Sequence, residues 1–437
     1  MEWYYALFLL VGGVCTLLML GVPVAFAFFA INIVGAVLFL GGIKALISLP
    51  SECLEAIAKF NLTPIPLFIL MGEILFHTGV AFRAIDAIDR IITRVPGRLA
   101  VVSLLGGTAF ASLSGSTIAS TALIGNTLLP KMMKGGYEKR LAMGSIMSVG
   151  GIAMLIPPSA LAVLLASLAE QNIAAVLIGG IVPGLAMAAL FIAYVVLRCH
   201  LNPELAPGGA KAGERERAEW RPLFVYVLPL FTIFVVVMAS MFTGLASPTE
   251  SAALGCVATA LVCACYRALN LQNLMKSATE TAKISVMILF IIAGSLTFSQ
   301  VLAVSGGTNG LLVQLKELQL SNFLLVVTMV LILLALGCFM DQISMILLTL
   351  PFFIPLATSQ QIDMVWLLLL ILVSMELSLL TPPFGLLLFV MKGVAPPNVT
   401  LGNVYAAAAP FVLLKLSILL LMLLWPSFAT WLPRLVL

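Results

Sequence analysis

Apolar residues fall along this chain in long blocks separated by short polar stretches. A helix needs about 17 to 25 mostly apolar residues to cross a bilayer. Ten blocks are predicted to do so, near 4–22, 23–42, 62–78, 137–168, 173–198, 223–245, 249–267, 284–304, 363–391 and 404–425. Two further blocks, 99–130 and 323–355, are broken by polar residues and are predicted as re-entrant helical hairpins. Two polar segments, Ala45 to Phe60 and Gly79 to Pro96, interleave charges with Leu, Ile and Phe, the pattern of helices lying at a membrane interface.

The pattern occurs twice. A shift of 225 places Pro130 on Pro355, Pro157-Pro158 on Pro382-Pro383, and Ser114-Gly115-Ser116-Thr117 on Phe339-Met340-Asp341-Gln342. Phe68, Gly72 and Phe76 return as Phe290, Gly294 and Phe298 at an offset of 222, so an indel of three separates these parts of the repeats. The predicted fold is an all-α integral membrane protein of two repeats, 1–198 and 223–437, each with five transmembrane helices and one hairpin. The polar stretch 199–222 links them. An odd number of spans per repeat inserts the second upside down, the inverted-repeat plan of secondary transporters.

Composition agrees with a membrane protein: 62% of residues are hydrophobic and 9% charged, where soluble domains carry about 25% charged residues. The net charge is only +4, and its placement is more informative. Lys and Arg collect in loops that stay in the cytoplasm. With spans alternating and both hairpins returning to their own side, 17 basic residues fall on one side and four on the other, with Lys415 inside a block. Both termini are then periplasmic. The opening residues Met1-Glu2-Trp3 lack the basic region of a signal peptide, so the first block is read as a helix. The seven cysteines form no CxxC pair and read as small hydrophobes.

Non-helical backbone at membrane depth is tolerated only where protein or a wet cavity covers it. Four such places are expected: the hairpin tips Ser114-Gly115-Ser116 and Met340-Asp341-Gln342, and the breaks Pro157-Pro158-Ser159 and Thr381-Pro382-Pro383. Carbonyls and hydroxyls there are hard oxygen ligands for a small cation, and half-helix N-termini suit a carboxylate. One tip and one break per half are therefore expected to hold Na+, through Ser114, Gly115, Gly150, Gly151 and Pro157 in the first half and Met340, Ser378 and Pro382 in the second. An anionic solute would lie between, against Ser116, Thr117, Ser159, Asp341, Gln342, Thr381 and Pro383.

A charge at a helix centre costs about 2.5–3.5 kcal/mol on insertion scales. Asp341 and Glu376 therefore need a reason: Asp341 is the better ion or substrate contact, whereas Glu376 serves equally as a packing residue. Glu73 and His77 share a helix face as a polar pair, and Glu250 reads as part of a capping box begun at Ser247. No enzyme constellation is present: the two histidines lie on different elements, and there is no HExxH or P-loop. Nothing points to nucleic acid.

The runs SGSTIASTALIGNTLLPKMMKGGYEKRLA, IPPSALAVLL, IVPG, SPTESAALG and ELSLLTPPFGLLLFV, in this order, resemble the large membrane (M, DctM-type) subunit of TRAP, the tripartite ATP-independent periplasmic transporters. The resemblance covers essentially the whole chain. It implies a bacterial inner-membrane importer of small organic acids, coupled to Na+ and working as an elevator. It also implies two partners: a small four-helix membrane Q subunit and a soluble periplasmic substrate-binding P subunit. The second tip lacks the Ser-Gly-Ser of the first, and Ser378 stands where the family has glycine. Two other readings fit the residues: a stand-alone Na+/dicarboxylate symporter of related architecture, and a membrane anchor with no transport path.

The charge bias makes a topological prediction, checked by single-cysteine labelling in intact cells on a cysteine-free background. A cysteine at Ala210 should be shielded from a periplasmic probe and one at Ser321 should react; the opposite pattern overturns the alternation of spans.

Overall fold

The computed structural model describes residues 3–92, 95–114, 117–207, 220–317, 321–382 and 385–436. Among these the chain is helical, with no strand. The first half comprises α1 (Trp3–Met19), α2 (Val24–Phe39), α3 (Leu49–Ile57), α4 (Pro64–His77), α5 (Val80–Ile91), α6 (Arg98–Ser114), α7 (Thr117–Lys134), α8 (Lys139–Leu155), α9 (Ala160–Leu168) and α10 (Ile173–Leu201). The second comprises α11 (Leu228–Phe242), α12 (Pro248–Cys265), α13 (Leu271–Val304), α14 (Gly307–Glu317), α15 (Asn322–Leu336), α16 (Gln342–Ser359), α17 (Met364–Ser378), α18 (Leu386–Val394), α19 (Leu401–Leu424) and α20 (Ser427–Val436).

Among the described residues, seven helices are long and apolar enough to cross a membrane, and α8 with α9 makes an eighth span bent by 44°. The bend falls at Pro157-Pro158, where two successive residues lack the N–H that would continue the ladder. Two expected spans are shorter than read: α1 and α2 have 17 and 16 residues. The span expected near 284–304 is the apolar end of α13, which runs 34 residues. At 1.5 Å per residue that is about 50 Å, against a hydrocarbon core of about 30 Å. Its first turns, with Lys276, Glu280 and Lys283, extend beyond an apolar layer of that depth. Where the second hairpin was expected, α15 and α16 are separated by a turn at Gly337 to Met340, and α16 is itself one of the seven helices long enough to cross; the first expected tip, at 115–116, lies outside the described residues.

Two sets of helices pack among themselves. α13 lies against α2, α3 and α4, and α4 against α12. The buried Asn32 amide of α2 donates to the Gly294 carbonyl of α13 at 2.7 Å, where a Cβ at Gly294 would meet Phe28 at 2.9 Å. The other set surrounds α8, which touches α6, α7, α10, α17 and α19. Every residue of α8 from Leu141 to Leu155, and of α17 from Trp366 to Ser378, is buried. A helix apolar on all faces has no solvent or lipid side and belongs at the centre. Outward-facing large side chains, such as Phe8, Phe231, Val257 and Leu413, are exposed, as lipid contact requires.

The polar stretches have local reasons. Ser247 and Glu250 form the expected capping box at the start of α12, with the Ser247 N–H donating to the Glu250 carboxylate at 2.7 Å. Arg98, at the foot of α6, bonds the Asp89 carboxylate at 2.9 Å and its carbonyl at 2.7 Å, tying α5 to the first hairpin unit. The Leu99 N–H donates to the Tyr137 hydroxyl at 3.2 Å. Burial pushes that phenol's pKa up.

Close packing on α8 depends on glycine. A Cβ at Gly144 would stand 2.4 Å from the Ala407 carbonyl and 2.6 Å from the Phe411 ring. Gly144→Ala should therefore force α8 and α19 apart and cost about 1–3 kcal/mol, read as a lowered Tm in detergent. Gly393→Ala, with no atom within 4 Å of its Cβ, is the matched control and should leave Tm unchanged or raised.

Candidate functional site

At the centre of the second set a single carboxylate gathers both halves of the chain. Glu376, on α17 shortly before the second break, is 1% exposed, and its Oε2 lies 3.2 Å from the Lys415 ammonium of α19, which is 0% exposed. Its Oε1 accepts two further hydrogen bonds, from the Thr117 hydroxyl at 2.7 Å and from the Gln342 amide at 2.9 Å. Thr117 is the first residue of α7 and Gln342 the first of α16. The shift of 225 that aligns the two repeats carries one onto the other. The two hairpin units thus start their second limbs on the same oxygen.

α8 leaves room for this node through two glycines. A Cβ at Gly150 would lie 1.9 Å from the Thr117 methyl and 2.9 Å from Glu376 Oε2. One at Gly151 would lie 2.5 Å from Lys415 Cε and 2.7 Å from its Nζ. Any side chain at either position would displace the partners of the ion pair.

Beside the node is a cavity of about 580 Å³ between the two helix sets. One wall is apolar, from Pro23, Ile65, Ile69, Ile284 and Phe290; the other holds Thr117, Asp341, Gln342 and Ser344, with Ala160 and Leu164 of α9. A larger cleft of about 760 Å³ between α2, α3 and α13 is lined almost wholly by apolar side chains and offers no ionisable group except Cys53.

The residues singled out in the sequence fall in different places. Thr117, Gln342, Gly150 and Gly151 meet at the node. Met340, Ser378, Thr381 and Pro382 lie where the second tip packs on the second break. There a Cβ at Gly337 would stand 1.8 Å from the Ser378 hydroxyl, and the Cys338 thiol lies 3.9 and 3.6 Å from the Thr381 and Pro382 carbonyls. Gly115, Ser116 and Pro383, and the side chain of Ser114, lie outside the described residues.

Local hydrogen bonding accounts for several others. The Ser378 hydroxyl donates to the Met375 carbonyl at 2.7 Å, and the Thr381 hydroxyl to that of Leu377 at 2.8 Å. Ser159, after the buried Pro157, caps α9 by accepting from the Ala162 N–H at 3.3 Å. Asp341 caps α16: its carboxylate accepts from the Ile343 and Ser344 N–H groups at 3.1 and 3.3 Å, and from the Ser344 hydroxyl. It still lines the cavity. Glu73 pairs with His77 at 3.3 Å on α4.

Lys415 was not singled out from the sequence. Its signal was there: two opposite charges in separate apolar blocks, each too costly to bury alone. Among the described residues no cluster of three His, Cys, Asp or Glu could hold a metal ion.

The fold has solved counterparts. The YdaH transporter of Alcanivorax borkumensis superposes with a TM-score of 0.62 at 15% identity, covering 90% of this chain and 91% of that one, a likeness of fold alone. The class is therefore a multi-pass, all-helical membrane protein with a transporter's fold. Residues 11–428 match the family described as tripartite ATP-independent periplasmic transporter, DctM component, and the chain belongs to it. The C4-dicarboxylate TRAP transporter large permease protein DctM of Pseudomonas aeruginosa is 30% identical over 390 residues, 89% of each chain. The isethionate TRAP transporter permease protein DctMQ of Oleidesulfovibrio alaskensis is 27% identical, over 91% of this chain and 64% of that one. These relatives are permeases by name.

Removing either donor from Glu376 Oε1 leaves a buried carboxylate short of a partner, at a cost of about 1.5–3 kcal/mol. Thr117→Val and Gln342→Leu should each lower stability in chemical denaturation. Because both act on one oxygen, their effects should depart from additivity by at least about 0.5 kcal/mol; strict additivity would show that the two contacts do not form one node.

Proposed function

We propose that this chain is the substrate-translocating subunit of a TRAP transporter, importing a small organic acid across a bacterial inner membrane with Na+ as the coupling ion. The observation that carries this reading is the meeting of Thr117 and Gln342 on Glu376, beside a cavity large enough for a small solute. The names of the relatives, a C4-dicarboxylate permease and an isethionate permease, support a small organic acid as the solute class. Na+ coupling draws its support from the four chain breaks, which offer oxygen ligands without a continuous relay of acids and histidines for protons.

In this reading the repeats 1–198 and 223–437 are inverted in the membrane around the 199–222 linker, with both termini periplasmic. The transport body holds the two hairpin units and the broken helices α8–α9 and α17–α18. It moves against a scaffold containing α2, α4 and α13. The apolar wall that the scaffold gives the cavity suits sliding, with the bond from the Ser295 hydroxyl of α13 to the Leu347 carbonyl of α16 as a polar contact that has to be broken. A periplasmic P subunit delivers the solute, and a Q subunit braces the scaffold as a separate chain. DctMQ extends beyond the part this chain matches, where a Q portion would lie.

The test is uptake into proteoliposomes holding this chain with its P and Q partners, using the solute that the P protein retains on purification. An imposed Na+ gradient should drive accumulation; equal uptake under a proton gradient without Na+ overturns the coupling. Ser116→Ala should raise the Na+ concentration for half-maximal uptake, and Gly115→Leu should abolish uptake at normal expression. Normal Na+ dependence and rates in both would remove the first tip from the mechanism.

A further inference from the structure

A carboxylate as buried as Glu376 must be neutralised, because desolvation of an unpaired charge costs several kcal/mol even after the protein relaxes. Here the neutraliser is covalently held. Its room is carved into α8 by Gly150 and Gly151, whose Cβ atoms would lie within 3 Å of the carboxylate and the ammonium respectively. Without the lysine stem, the same space would be bordered by Glu376 Oε2, while Thr117 and Gln342 hold Oε1 by donating to it. A carboxylate oxygen is a hard ligand, of the kind that binds small, non-transition cations.

We infer that the Lys415 ammonium is a built-in counter-cation, standing where Glu376 would otherwise recruit an alkali metal ion. The repeat relation supports this. The shift of 225 that places Thr117 on Gln342 places Gly151 on Glu376, so the first half has no acid at the equivalent position and only the second needs a fixed positive charge. The second break points the same way: its Thr381 and Pro382 carbonyls face the soft Cys338 thiol, a poor neighbour for a hard cation. For transport the consequence is that this half couples to one metal ion fewer than it would without the lysine. Only that consequence rests on the Na+-coupled reading above; the latent cation site rests on the node itself.

The experiment compares thermal unfolding of the purified full chain in NaCl and in choline chloride at equal ionic strength. In Lys415→Met the Na+-specific rise in Tm should exceed that of wild type by about 3 °C or more, and the excess should vanish in the double variant Glu376→Gln/Lys415→Met. A Lys415→Met protein that folds only in Na+ supports the inference equally. An unchanged Na+ increment overturns it. So does a single variant that fails in both salts while the double variant folds, since Na+ then cannot replace the ammonium. Failure of both variants alike overturns it too, by making Lys415 a packing residue. In reconstituted uptake, Lys415→Met should raise the Hill coefficient for Na+ by about one. Wild-type uptake that ignores Na+ would count against the proposed function while leaving the unfolding result to decide on the latent site.

Discussion

One buried carboxylate sets the terms for the core of this protein. Glu376 cannot sit in an apolar interior unless its charge is met and its oxygens are occupied. The fold meets the requirement from four elements at once: a hydroxyl from α7, an amide from α16, an ammonium from α19 and Cβ-free space on α8. Each contribution fixes the position of the element that makes it. The node therefore orients the second limbs of both hairpin units relative to the broken helices.

Small residues let that geometry exist. Along α8, Gly144 admits the α19 backbone and the Phe411 ring, Gly150 admits Thr117 and the carboxylate, and Gly151 admits the lysine stem. The helix is thus a spine against which larger side chains from its neighbours close. Where lipid supplies no hydrophobic drive for helix association, such close approach with satisfied polar contacts is what holds helices together. The same logic recurs where α10 crosses the first break: a Cβ at Gly180 would stand 2.3 Å from the Leu155 carbonyl.

Family membership and the site describe one molecule at two levels. The family match spans residues 11–428, and so speaks for the whole architecture. The node joins the starts of α7 and α16, and the cavity lies where the two helix sets face each other. The cavity is bordered by the starts of α7 and α16 on one side and by apolar side chains on the other.

The sequence by itself determined the class and the bend at Pro157-Pro158. Runs of apolar residues long enough to span a bilayer, and prolines that cannot continue a helix, act locally and are legible without a partner. The capping box at Ser247 and Glu250 is legible for the same reason, since its groups lie three residues apart. Element lengths were less legible: α13 continues through polar residues because helical hydrogen bonding does not stop where hydropathy falls. Asp341 drew attention as a charge at a tip, yet its N-capping bonds could be recognised only once α16 had a defined first turn. The partnership of Glu376 with Lys415, 39 positions away, and with Thr117, 259 away, was decided by tertiary structure alone. Hydropathy and propensity describe neighbours along the chain, whereas the pairing of a buried charge depends on which helices the packing brings within 3 Å.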